Sequence, residues 1–165
     1  MKKYIKQMLL GAITFGLFSC EQDYGQLNRD NQPDYPIVFS NATAFGGDPY
    51  ISVIESEDDT IVFEMEIPEK AGMGIKEITA VAAGGNNINV NTLRNSGDYI
   101  DEPIQGIGNK VVFETSLKEF REKRPSVVIS IPEGGFSDNV AFMFLVTLEN
   151  NETVVTMRSR VRVRK

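Results

Sequence analysis

Residues 60–67 read Thr60-Ile61-Val62-Phe63-Glu64-Met65-Glu66-Ile67. Successive side chains of an extended chain point to opposite faces, so Ile61, Phe63, Met65 and Ile67 share one face. Val62, Glu64 and Glu66 share the other, which is the signature of a half-buried strand. Similar short runs cover 37–40, 51–54, 75–82, 110–115, 126–131, 139–148 and 153–164. Between them stand turn-forming clusters such as Gly46-Gly47-Asp48-Pro49, Gly84-Gly85-Asn86-Asn87, Asn95-Ser96-Gly97-Asp98 and Pro132-Glu133-Gly134-Gly135. No long helical period interrupts the series. Residues 36–165 are therefore expected to form an all-β, antiparallel β-sandwich of about 7–8 strands.

The last two runs predict a hairpin. If Asn150-Asn151 is a two-residue turn, Val146 faces Val155, Phe144 faces Met157, Phe142 faces Ser159 and Val140 faces Val161, all toward the core. The opposite face then pairs Leu145 with Thr156, Met143 with Arg158 and Ala141 with Arg160. Arg158, Arg160, Arg162 and Arg164 line up on that outer side. Such a basic stripe suits a phosphate or a sulfated glycan; it also suits a solvent face guarded by charge, paired with Glu64 and Glu66 on a neighbouring strand. Met143, Leu145 and Val154, with Arg158 and Arg160, make a candidate contact face for a partner.

One short helix is expected near 116–123. Ser116 and Glu119 have the spacing of a capping box, Leu117 and Phe120 face inward together, and Pro125 ends the segment.

The chain of 165 residues has 17 Lys+Arg, 23 Asp+Glu, one Cys, no Trp and no His, a net charge of −6. Without histidine there is no Ser-His-Asp triad, no Cys-His pair and no His-ligated zinc. An acidic chain is a poor partner for nucleic acid. Two acidic runs, Glu55-x-Glu57-Asp58-Asp59 and Asp98-x-x-Asp101-Glu102, supply carboxylates for hydrolysis or for calcium. Solvated charge explains adjacent acids in a turn more simply, and neither run has EF-hand spacing. No enzymatic activity and no cofactor are expected, with Ca2+ the one cation the composition suits.

Lys2, Lys3 and Lys6 precede the apolar run 8–18 (MLLGAITFGLF), and Ser19-Cys20 closes it. The run has the length of a signal-peptide core and is shorter than the roughly 20 residues of a spanning helix. Leu17-Phe18-Ser19-Cys20 resembles the bacterial lipobox, in which the chain is cut before a cysteine that carries lipid. That resemblance makes 1–19 a lipoprotein signal peptide and Cys20 a lipidation site. Several acyl chains together suffice for stable anchoring without a spanning segment. Cleavage would remove three cations, leaving 14 against 23 acids, a net −9.

Glu21-Gln22-Asp23 directly behind the cysteine resembles the surface-export signals of Bacteroidota lipoproteins. Residues 20–35 then read as the lipidated cysteine and a polar linker. Taken with the strand spacing, the chain resembles small Bacteroidota-type outer-membrane lipoproteins with an Ig-like β-sandwich. The resemblance implies a lipid-anchored, non-enzymatic accessory protein of the outer membrane. Its domain would sit on the cell surface or on the periplasmic face, in contact with outer-membrane protein partners. The alternative is a glycan-binding module of a polysaccharide-uptake complex, for which Phe45, Tyr50, Tyr99 and Phe136 form a candidate platform. Plugging the ends of a β core explains those rings more simply. Asp59-Thr60-Ile61 resembles the O-glycosylation motif of exported Bacteroidota proteins, which makes Thr60 a candidate modification site.

Overall fold

In the computed structural model the described residues are 35–44, 47–55 and 59–165, and they lie in the unit Asp34–Lys165. They contain nine strands and two α-helices. The order begins β1 (Val38–Phe39), β2 (Tyr50–Ile54), β3 (Thr60–Glu66), β4 (Ile75–Gly84), α1 (Val90–Ser96) and β5 (Ile104–Gln105). It continues with β6 (Lys110–Ser116), α2 (Leu117–Lys123), β7 (Ser137–Leu148), β8 (Thr153–Val155) and β9 (Ser159–Arg164). The protein is mostly β, with two sheets.

The smaller sheet runs β1-β3-β6 and is antiparallel. The larger runs β2-β9-β7-β4-β5, with β8 also paired to β7. Alternation predicts antiparallel pairing throughout, yet β2 joins β9 in parallel, Tyr50 opposite Arg160 and Ile54 opposite Arg164. Parallel neighbours need a long connection, and nearly the whole domain lies between these two strands. Alternation encodes which face is buried; it carries no information on a strand's partner or direction.

The apolar faces of the two sheets meet. Ile61, Phe63, Met65 and Ile67 are all at most 1% exposed, as their alternation requires. Rings from the two sheets interlock: Phe63 stands 5.8 Å from Phe142, Phe113 5.1 Å from Phe144 and Phe39 5.9 Å from Phe144, between centroids. Edge-on and tilted pairs of this kind add about 0.5–1.5 kcal/mol each beyond burial.

The final hairpin corrects the predicted register. Leu148 N–H donates to Glu152 O (2.8 Å) and Asn151 N–H to Leu148 O (2.9 Å), so Glu149-Asn150-Asn151 is a three-residue loop. Asn151 takes the left-handed conformation (φ 65°) that such loops place last. One extra loop residue slips the pairing by one: Val146 faces Val154, and Leu145 faces Val155. Val154 therefore turns inward, while Val155 and Met157, expected in the core, are 39% and 62% exposed. A bulge then restores the predicted register, with Phe142 opposite Ser159, Ala141 opposite Arg160 and Val140 opposite Val161. Thr156 still pairs with Phe144 through its backbone N–H (2.9 Å) and its hydroxyl (3.1 Å), so Met157 and Arg158 together stand opposite Met143.

Residues 126–131 form no strand. Val127, Ile129 and Ile131 pack against the core and Val128 is 71% exposed, so the alternation is present without a ladder partner. Both flanks of β7, the strand that follows, are occupied, one by β4 and the other by β8 and β9.

Helix α2 forms where expected. Ser116 Oγ accepts from Glu119 N–H (3.1 Å), but the Glu119 carboxylate turns to Thr115 and Lys123, so only half of the capping box exists. Leu117 and Phe120 are fully buried. Helix α1 is a second helix, outside the expected fold, and it carries the complete box. Asn89 Oδ1 accepts from the N–H groups of Asn91 and Thr92, while Thr92 Oγ1 accepts from Asn89 N–H (3.1 Å). Leu93 and Ile88 cover Ala82, Ala141 and Met143 in a second apolar cluster on the outer face of the larger sheet.

Candidate functional site

Strand β9 alternates Val161 and Val163 inward with Arg160, Arg162 and Arg164 outward, and β2 sets Tyr50, Ser52 and Ile54 beside those arginines in register. Two of the stripe's cations converge on one carboxylate. Asp48 Oδ2 accepts from Arg158 Nε (2.7 Å) and from Arg160 Nε (2.9 Å), and Arg158 also donates to Asn86 O. Arg160 reaches Asp138 as well (3.2 Å). Burial pushes the Asp48 carboxyl up, but the hydrogen bonds and charges of Arg158 and Arg160 outweigh it and hold it below the usual carboxylate value. The expected pairing of this stripe with Glu64 and Glu66 is not formed. Both glutamates belong to the smaller sheet, where Glu66 meets Lys110 at 3.5 Å.

Arg162 is held differently. Its guanidinium carbon lies 3.5 Å from the Tyr50 ring centroid and 4.7 Å from that of Phe136. Ring faces attract the planar cation and leave its edge N–H donors unused. Among the described residues no acceptor or carboxylate meets Arg162, and the same holds for Arg164. A cavity of about 140 Å³ opens on one side of this stack, lined by Gly47, Asp48, Tyr50, Arg160 and Arg162. Another of about 240 Å³ is lined by Phe136, Arg164, Lys165 and the 132–135 turn.

Of the candidate ring platform, the structure thus brings Tyr50 and Phe136 together, with Arg162 between them. Phe45 lies outside the described residues. Tyr99 is not on the surface: it is 1% exposed, edge-on to Phe142 at 5.4 Å, and it plugs the core. Its hydroxyl donates to Thr115 Oγ1 (2.7 Å), whose own proton goes to Glu119 Oε2 (2.8 Å). Lys123 closes the ring, bonding Glu119 (2.9 Å) and the Tyr99 carbonyl (2.7 Å). Burial pushes the Tyr99 hydroxyl up to about 12, partly offset by the Thr115 bond and helped by the Glu119 charge. The Lys123 and Thr115 hydrogen bonds hold Glu119 below its usual value against a smaller push from burial.

The candidate contact face is also redrawn. Met143 is covered by α1, Leu145 is half-buried in the same cluster, and Val154 belongs to the core. Only Arg158 and Arg160 remain on the outer surface, tied to Asp48. Sequence reasoning missed Asp48, which reaches β9 only through the parallel β2 edge, and Asp138, which sits at the irregular start of the antiparallel β7–β9 pairing.

Cys20, Glu21 and Asp23 lie outside the described residues, as do Glu57 and Asp58. Thr60 opens β3 and is half-buried. The described members of the acidic runs are dispersed: Glu55 pairs with Arg121, Asp59 accepts from Lys118 N–H (3.4 Å) and Asp98 pairs with Arg124 (2.8 Å). Among the described residues no group of three or more Cys, Asp or Glu is placed to hold a metal, and no helix is long and apolar enough to cross a membrane. No family model, no curated protein and no solved structure matches the chain.

Proposed function

We propose that the protein is a lipid-anchored, non-enzymatic accessory protein of the bacterial outer membrane that works by contacting other proteins. The observation that carries this reading is the position of the chain's single cysteine, Cys20, immediately behind an eleven-residue apolar run. We take residues 21–35, polar and poor in apolar side chains, as the spacer between lipid and domain. We take the two facing sheets as an Ig-like β-sandwich, supported by their interlocked apolar faces and by the predominance of antiparallel pairing. The shifted acidities have structural causes: Arg158 and Arg160 lower Asp48, Lys123 and Thr115 lower Glu119, and burial in the core raises Tyr99.

A second reading, a glycan-binding module of a polysaccharide-uptake complex, has the exposed ring of Phe136 beside Tyr50 in its favour. The two separate on native electrophoresis of detergent-solubilised membranes from cells fed an alkyne analogue of palmitate. The protein-contact reading expects a labelled chain migrating within a larger protein assembly. A labelled chain that migrates alone and is retarded in polysaccharide gels favours the glycan module. An unlabelled, secreted chain overturns both.

A further inference from the structure

We propose that the outer face around Arg162 docks an acidic segment of a protein partner. This role rests on the protein-contact reading above and names the chemistry of the partner.

Four outward arginines behave in two ways. Arg158 and Arg160 spend their donors on Asp48, Asp138 and Asn86. Arg162 and Arg164 meet no acceptor among the described residues, although the chain as a whole is acidic. Arg162 is also pre-oriented. Clamped between Tyr50 (3.5 Å) and Phe136 (4.7 Å), it has lost much of its rotamer freedom before any ligand arrives. A planar guanidinium so held presents parallel N–H groups at its edge, the geometry that takes a carboxylate in two hydrogen bonds. Tyr50 and Phe136 (40% exposed) add apolar contact around the cation, and Ile54 (38% exposed) stands opposite Arg164 on the same face. An arginine held between aromatic rings is the composition of an interface hot spot.

The same geometry argues for a protein carboxylate over an acidic sugar. The guanidinium already occupies the face of Tyr50 and one side of Phe136, so the platform a pyranose would stack on is largely taken. It also argues for a side-chain contact over strand addition. The free edge of β2 is short, because Thr43 already pairs with Tyr50 through both backbone bonds (2.8 and 2.9 Å).

The test uses the full lipidated chain in detergent micelles, with fluorescent poly-L-glutamate as the probe and polygalacturonate as competitor. Poly-L-glutamate is expected to bind, more weakly as salt rises. Arg162→Gln should weaken it about tenfold, the loss of one charge-assisted bidentate contact. Arg162→Lys should weaken it nearly as much, since an ammonium keeps the charge and loses the fork. Thermal melting of both variants reports the fold, and Arg164→Gln, which touches no ring, is the fallback if either melts early.

Absence of binding at low salt overturns the docking role. So does binding unchanged in Arg162→Gln, or full binding by Arg162→Lys, which would mean diffuse attraction. Preferential displacement by polygalacturonate would make the face a glycan site. Concentration-dependent dimerisation abolished by Arg162→Gln would make it a contact between two copies. If an Arg162→Gln chain still migrates within its membrane assembly and binds the probe as before, the docking role falls and the protein-contact reading stands. A solitary, unlabelled chain removes the reading itself.

Discussion

The Tyr99 hydroxyl lies 2.7 Å from Thr115 Oγ1, and because Thr115 gives its only proton to Glu119, the tyrosine must be the donor. A ring at the centre of an aromatic core is thereby tied to the start of α2. Removing the donor and removing the acceptor are unequal. Tyr99→Phe should cost about 1 kcal/mol, whereas Thr115→Val leaves a buried hydroxyl unpaired and should cost about 1–3 kcal/mol. Urea unfolding of the two variants measures the difference.

The same tyrosine gives a pH dependence at the alkaline end. Its hydroxyl is raised from 10.0 to about 12 in the fold, so the unfolded chain loses this proton first. Tyr99 therefore contributes stability that is intact below about pH 10 and is lost as pH rises through about 12. Stability measured by urea from pH 8 to 11 should fall, and less so in Tyr99→Phe.

Asp48 gives the opposite dependence. Its carboxyl is held below its usual value, so its contribution is present above the ordinary carboxylate range and disappears as pH falls through the lowered value. Asp48→Asn removes the shared anion of Arg158 and Arg160 and should destabilise by about 1–2 kcal/mol at neutral pH, the group being partly solvent-screened. The difference from the parent should shrink on acidification, as chemical denaturation at pH 7 and pH 3 would show.

The slipped register at β8 is tested by two neighbours. Val154 is buried (7% exposed) and Val155 exposed (39%). Val154→Asp should cost about 3 kcal/mol or more, from a charge placed among apolar groups, while Val155→Asp should stay within about 1 kcal/mol. The two-residue turn predicts the reverse order, so melting temperatures of the pair decide the register.

Leu93 lids the cluster over Met143. Leu93→Ala should cost about 2–4 kcal/mol and increase binding of a hydrophobic dye, because Met143 and Ile88 become exposed.

The central strands were legible in the sequence because Ile61, Phe63, Met65 and Ile67 obey a period that only an extended, half-buried chain satisfies. What escaped depends on non-local pairing. Asn151's left-handed conformation chose a three-residue loop over the two-residue one, and that single residue moved Val154 inward. Residues 126–131 carry strand alternation and bury Val127, Ile129 and Ile131 against the core without pairing to either sheet. The parallel entry of β2 brought Tyr50 and Asp48 to β9 from the other end of the chain, and with them the carboxylate shared by Arg158 and Arg160 and one ring against Arg162. Helix α1 did leave a signal, Asn89 and Thr92 three apart with Gly97 at the end, but its seven residues are too short to show a helical period.

The anchor at Cys20 is the premise of the functional reading, and the mass of the mature N-terminal peptide tests it most directly. Mass spectrometry of the chain purified from membranes should show an N-terminus at Cys20 carrying thioether-linked diacylglycerol and an N-acyl chain. A chain that retains residues 1–19, or one that begins elsewhere with Cys20 as a free thiol, would contradict the account.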